Sequence, residues 1–173
     1  HVGAYFPKIF IQCLDSSLHY LEGGRWMRAH GFKNFPRVRS RQEIFNLVAA
    51  QTMGSKLLYL EFGVHEGATI LGFADLIKNS SAEFHGFDSF IGLPERWNPA
   101  NKRGHFSTNG EIPKTNDSRI KFFKGWFNET LSTYKVPDHD KLFINIDCDL
   151  YSSTACVLIA LKNNIHIGSY LYF

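Results

Sequence analysis

Two carboxylates close an apolar run. In LFINIDCDLYSST, Leu142 to Thr154, Asp147 and Asp149 arrive together with Ser152, Ser153 and Thr154. Burying a carboxylate is costly unless it is paired, hydrogen-bonded or bound to a cation, so a core strand that ends this way points to a task for the acids. Alternate residues of an extended chain share a face, which groups Asn145, Asp147 and Asp149. Hard oxygen ligands of this kind suit Mg²⁺ or Ca²⁺ rather than zinc, and no H-x-x-x-H spacing occurs among the eight histidines. A plainer role is also open, in which one of the acids, or Ser152 or Ser153, caps the following helix.

Three other segments end in the same suggestive manner. In LEFGVHEGAT, Glu61, Gly63 and Gly67 form an E-x-G-x-x-x-G turn between a strand and a helix. Glycines there admit a ligand to the backbone, and a helix N-terminus offers free N–H groups. A dinucleotide fingerprint needs a second glycine where this chain has His65, and Glu61 would repel phosphate. The turn therefore suits a ligand that is positively charged and free of phosphate. In HGFDSF, Asp88 ends the next strand and can accept two hydrogen bonds from a ribose diol. In FFKGWF, Gly125 permits close approach, and Trp126 and Phe127 offer flat surfaces to an adenine ring, although aromatics at such positions also serve cores.

The elements that position these residues alternate. An amphipathic helix is predicted from Lys8 to Leu21, followed by a Gly- and Arg-containing turn region. SRQEIFNLVAAQTMGS carries a Ser40/Glu43 capping box and a stop at Gly54. Strands are predicted over 56–63, 82–88, 119–125, 141–147 and 168–173, with helices over 67–79, 126–134 and 153–164 between them. Strand–helix alternation without hairpin signals implies an α/β fold, a mainly parallel twisted sheet covered by helices on both faces. Ligands then bind at the C-terminal strand ends. The 30 residues from Ser89 to Ser118 lack a clear element and carry Trp97, Lys102, Arg103, His105 and Phe106, which reads as a lid. His65 and His85, among apolar neighbours, read as structural.

Bulk properties agree with one domain of 173 residues, with 44% apolar content and a net charge of +3. Lys and Arg are scattered, so nucleic-acid binding is not indicated, and no segment is long and apolar enough for a membrane span. Three cysteines without CxxC spacing fit a reducing cytoplasm.

YLEFGVHEGATI, HGFDSFIGLPERW, FFKGWFNETL and FINIDCDLYSST occur in the order and spacing of class I S-adenosylmethionine-dependent methyltransferases. More narrowly, the chain resembles the macrocin O-methyltransferase-like family, from about Arg41 to Phe173. The resemblance implies a Rossmann-like methyltransferase domain at 41–173 behind an N-terminal extension at 1–40. It implies transfer of a methyl group from S-adenosylmethionine to a hydroxyl of a small molecule, a sugar or glycoside. Glu61, Gly63 and Gly67 would hold the methionine portion, with Thr69 and Ser89 as neighbours. Asp88 would bind the ribose, and Gly125 and Trp126 would line the adenine pocket. Asp147, with Asp149, would bind Mg²⁺ and activate the acceptor, and His105 is a candidate base. The family continues with a second pair of acids and two more strands beyond GSYLYF, so its last strands are expected to be missing here. A non-catalytic binding module on the same sheet and a nicotinamide-dependent oxidoreductase are the alternatives, and a homo-oligomer is left open.

Overall fold

The computed structural model describes residues 7–32 and 38–173. The chain divides into two compact units, residues 1–39 and 40–173. In the first, helix α1 runs over Lys8–Ala29, through the turn expected at Gly23 and Gly24. Each of these glycines costs the helix about 1 kcal/mol, but good helix formers flank them and propagation past a formed nucleus is cheap. The helix stops instead at Gly31, whose φ is +83°. There the Gly31 and Phe32 N–H groups donate to the carbonyls of Arg28 and Met27, at 3.3 and 2.9 Å, a left-handed helix ending. Residues 1–6 and 33–37 of the expected extension lie outside the described residues.

The second unit begins with α2, Arg41–Gln51, whose Ser40 side chain accepts from the Glu43 N–H as the capping box requires. Next come β1 (Leu57–Phe62), α3 (Ala68–Leu76), β2 (Glu83–Asp88), β3 (Ile120–Lys124), α4 (Phe127–Thr133), β4 (Lys141–Ile146), α5 (Tyr151–Leu161) and β5 (Tyr170–Tyr172). The five strands form one parallel sheet in the order β3-β2-β1-β4-β5. Strand order reverses between β1 and β4, the place where such sheets open a crevice.

Alternation along the strands makes two cores. Leu57, Tyr59, Phe84 and Phe143 pack with Phe45, Val48, Ile70 and Phe73 of α2 and α3 on one face. Leu58, Leu60, Phe62, Phe87, Ile144 and Ile146 pack with Val157 and Leu161 of α5 on the other. Each fully buried side chain of this size contributes about 1.5–3 kcal/mol, so the central strands are the most firmly held part of the chain. Arg119, just before β3, donates to the carbonyls of Ala74 and Ile77 at the end of α3, where a cation is favourable. His85 of β2 is buried, 2% exposed, with its Nδ1 2.7 Å from the Tyr134 hydroxyl. Its Nε2 lies 3.4 Å from the Glu83 carboxylate. Burial pushes its pKa down to about 4.

Candidate active site

All four strand ends singled out above converge on one cavity of about 730 Å³. Its lining includes Gly63 to Glu66, Ala68 and Thr69 after β1, and Asp88 and Ser89 after β2. Gly125 to Asn128 after β3 and Asp147 to Asp149 after β4 complete the floor. The loop between β2 and β3 contributes Gly92, Leu93, Pro94, Arg103 and Phe106. Of the residues expected to form the site, Gly63, Thr69, Asp88, Ser89, Gly125, Trp126, Asp147 and Asp149 are brought together in this lining. Glu61, Gly67 and His105 are not among the lining residues.

Each placement has a local cause. Gly63 has φ +92°, and a Cβ there would stand 2.1 Å from the Asp147 carbonyl oxygen. Only glycine lets the ends of β1 and β4 approach so closely. Gly67 has φ +82° and begins α3 against Pro113, buried beside the cavity. Asp88 braces the turn above it, since Oδ2 accepts from the Val64 and His65 N–H groups and Oδ1 from that of Phe90, at 2.7 to 2.8 Å. With one donor on Oδ1, room remains there for a ligand hydroxyl. The Ser89 hydroxyl donates to the Gly92 carbonyl and accepts from Ile91, so it shapes the loop.

Glu61 is fully buried at the switch point. It pairs in register with Asn145, which donates to Glu61 Oε2 at 3.3 Å and to the Tyr59 hydroxyl at 3.1 Å. The Tyr59 O–H donates in turn to Glu61. Among the described residues Glu61 Oε1 and Asn145 Oδ1 have no hydrogen-bond partner. Burial pushes the Glu61 carboxyl up to about 7 and the Tyr59 phenol well above its ordinary range.

The opening pair of acids diverges from strand geometry. β4 ends at Ile146, and Asp149 has φ +61°, so alternation does not carry through to it. Neither acid caps α5, whose N-cap is Leu150 and has no side-chain cap bond. Both acids face the cavity even so. Burial, and then repulsion from Asp147, raise the Asp149 pKa, while the charge of His105 opposes the rise. His105 is exposed on the loop with its ring against Phe106, centroids 4.2 Å apart.

Sequence reasoning missed Arg41. Its guanidinium donates from Nη1 to the Thr69 hydroxyl at 3.1 Å and from Nη2 to Asp147 Oδ2 at 2.9 Å. Hydrogen bonding to Tyr172, over whose ring it lies, raises its pKa further. Asp147 and Arg41 are 46% and 44% exposed, so the pair is worth at most about 1 kcal/mol. A signal for it was present: a cation at the first position of a helix opposes the helix dipole. Also missed were His65 and Ser152, whereas Arg103 belongs to the loop expected as a lid. His65 has φ +52° and lines the cavity rather than the core. Ser152 donates to Glu95 at 2.6 Å and ties the loop to α5. The loop itself is ordered by paired backbone bonds between Leu93 and Gly104–His105 and by the buried Phe90.

The described residues do not by themselves compose a magnesium site. Among the described residues no three His, Cys, Asp or Glu side chains gather to hold a metal, and Asp147 is already matched by a guanidinium that would repel a dication. The lining holds four carboxylates, Glu66, Asp88, Asp147 and Asp149, against two guanidinium groups, Arg41 and Arg103. That balance suits an organic cation without phosphate. No described helix is long and apolar enough to cross a membrane.

Comparison with known proteins follows the same lines. The solved structure of CalS11, a calicheamicin methyltransferase, aligns with TM-score 0.59 at 22% identity, over 76% of this chain and 64% of that one. This likeness shows the methyltransferase fold, and the chain spans 64% of that relative's length. More distant are the cmcI-N160 SAH structure, with TM-score 0.47, 13% identity and 78% and 61% coverage, and cofactor-bound Rv0187 from MTB, with 0.47, 17%, 80% and 57%. No curated protein sequence matches the chain. The family model of macrocin O-methyltransferase (TylF) matches residues 27–173, and the chain belongs to that family.

Proposed function

We propose that the chain forms the cofactor-binding part of an S-adenosylmethionine-dependent O-methyltransferase whose acceptor is a hydroxyl of a small molecule, a sugar or glycoside. The observation that carries this reading is the single acid-rich cavity bounded by all four strand ends. S-adenosylmethionine, when bound, supplies a methyl group on a positively charged sulfur. Asp88 would take a ribose hydroxyl on Oδ1, and Trp126, half-buried beside Gly125, would give the adenine a flat wall. Gly63 and Thr69 would face the methionine portion, with Glu61 acting from the buried layer through the Tyr59 and Asn145 side chains that it holds at the switch point. Methyl transfer to oxygen requires alignment and removal of the acceptor's proton. Asp149 faces the cavity with raised proton affinity and would receive that proton. His105 tempers Asp149 from the loop and is a positioning residue in this scheme. No step is assigned to magnesium. The three free cysteines agree with action in a reducing compartment.

Titration with S-adenosylhomocysteine tests the reading without knowledge of the acceptor. Saturable heat at micromolar to millimolar ligand is expected. Folded protein giving no heat at millimolar ligand would refute it.

A further inference from the structure

Arg41 lies over the Tyr172 ring and hydrogen-bonds to that residue, yet it also reaches into the cavity. It occupies the first position of α2, where a cation works against the helix dipole. Its ion pair with Asp147 is half exposed and weak. Its guanidinium nevertheless lines the cavity and bridges two strand-end segments, bonding Thr69 in the first turn of α3 and Asp147 after β4. A guanidinium has five donors in a planar fork, and the bonds to Thr69, Asp147 and Tyr172 leave others to present. The cofactor reading above supplies a partner for the donors that remain. The amino-acid end of S-adenosylmethionine carries a carboxylate, which the four acids of the lining would repel. Of the two guanidinium groups in the lining, Arg103 comes from the β2–β3 loop, whereas Arg41 stands at the strand ends beside the Thr69 hydroxyl.

We propose that Arg41 reads the cofactor's carboxylate together with Thr69, and that Asp147 holds the guanidinium in place until the ligand arrives. Arg41 is then a specificity-determining residue that separates the complete cofactor from versions lacking the acid group. Cofactor binding also draws Arg41 away from Asp147 and frees that carboxylate toward the acceptor. Carboxylate recognition by a planar fork is bidentate and is lost with a neutral side chain.

The test is calorimetric titration of the wild type, Arg41→Gln, Arg41→Lys and Asp147→Asn with S-adenosylhomocysteine and with its decarboxylated counterpart. The wild type is expected to prefer the complete ligand at least ten-fold. Arg41→Gln should bring that ratio close to one by weakening S-adenosylhomocysteine alone. Arg41→Lys should keep part of the ratio, and Asp147→Asn should keep all of it, with affinity equal to or above the wild type's. Arg41→Met, which retains the aliphatic stem, gives the same reading by a second route if the glutamine variant does not fold. A ratio unchanged in Arg41→Gln or Arg41→Met overturns the proposal. So does an equal loss in Asp147→Asn, because Arg41 would then serve only to hold Asp147. Binding of neither ligand by wild-type protein would instead overturn the cofactor reading, and this inference with it.

Discussion

Asp88 is the residue on which the site turns most directly, because one carboxylate braces the β1–α3 turn and the β2–β3 loop while facing the cavity. Asp88→Ala should weaken S-adenosylhomocysteine binding by roughly 1–3 kcal/mol, about 5- to 150-fold in Kd by titration. Two buried titratable groups should leave opposing marks on stability. Glu61 is raised to about 7, so between about pH 4.5 and 7 the folded chain binds more protons than the unfolded one. Its contribution is present in acid and is lost as pH rises through 7. His85 is lowered to about 4, so between about pH 4 and 6.5 the folded chain binds fewer protons. Its contribution is lost as pH falls through that window. Each amounts to roughly 3 kcal/mol over its window, and where the windows overlap the slopes offset. In urea titrations across pH, Glu61→Gln should show stability rising from pH 4 to 6.5, whereas His85→Gln should show it falling from pH 4.5 to 7. Parallel profiles for the two variants would contradict this assignment. Asp88, Asp147 and Gly125 were legible as cavity residues because strand ends are where such sheets bind ligands. Arg41 left only the trace of a cation at a helix start, since no periodicity reveals that a side chain on α2 reaches across to β4.

At the scale of elements, the alternation of apolar runs revealed every strand and helix of the second unit, because each must bury both faces of a parallel strand or one face of a helix. The ends were less legible. β4 stops one residue before Asp147, and α5 begins at Tyr151 without a side-chain cap, since the strand-to-helix turn is shaped by the left-handed Asp149 and by contact with Gly63. Gly63→Ala puts a Cβ into the Asp147 carbonyl at a positive φ. It should cost on the order of 3 kcal/mol or more, seen as a fall in thermal midpoint together with loss of ligand binding. The β2–β3 loop was expected as a lid from its length and from the aromatic and basic residues it carries. It is held by Phe90, by the Leu93–His105 bonds and by Ser152 on Glu95. Ser152→Ala should therefore speed tryptic cleavage near Arg96 and Arg103 several-fold while leaving the thermal midpoint within about 2 °C.

For the molecule as a whole, the sheet order follows from right-handed crossovers on a parallel sheet, and Asp147 and Asp149 do reach the crevice it creates. Their expected metal was not legible, because ligand number depends on what stands opposite, and a guanidinium stands opposite Asp147. Titration with S-adenosylhomocysteine in excess EDTA should give the same Kd as without it. A ten-fold weakening would restore magnesium to the site. The register of β1 carries a last implication. Its penultimate residue Glu61 lies beside Gly86 on one side and beside Asn145, 84 positions later in the chain, on the other. During synthesis at roughly 5–20 residues per second, one edge of that apolar strand waits roughly 4 to 17 s for its mate. Nascent chains stalled before β4 should accordingly recruit a holding chaperone, and chains released after β4 should not.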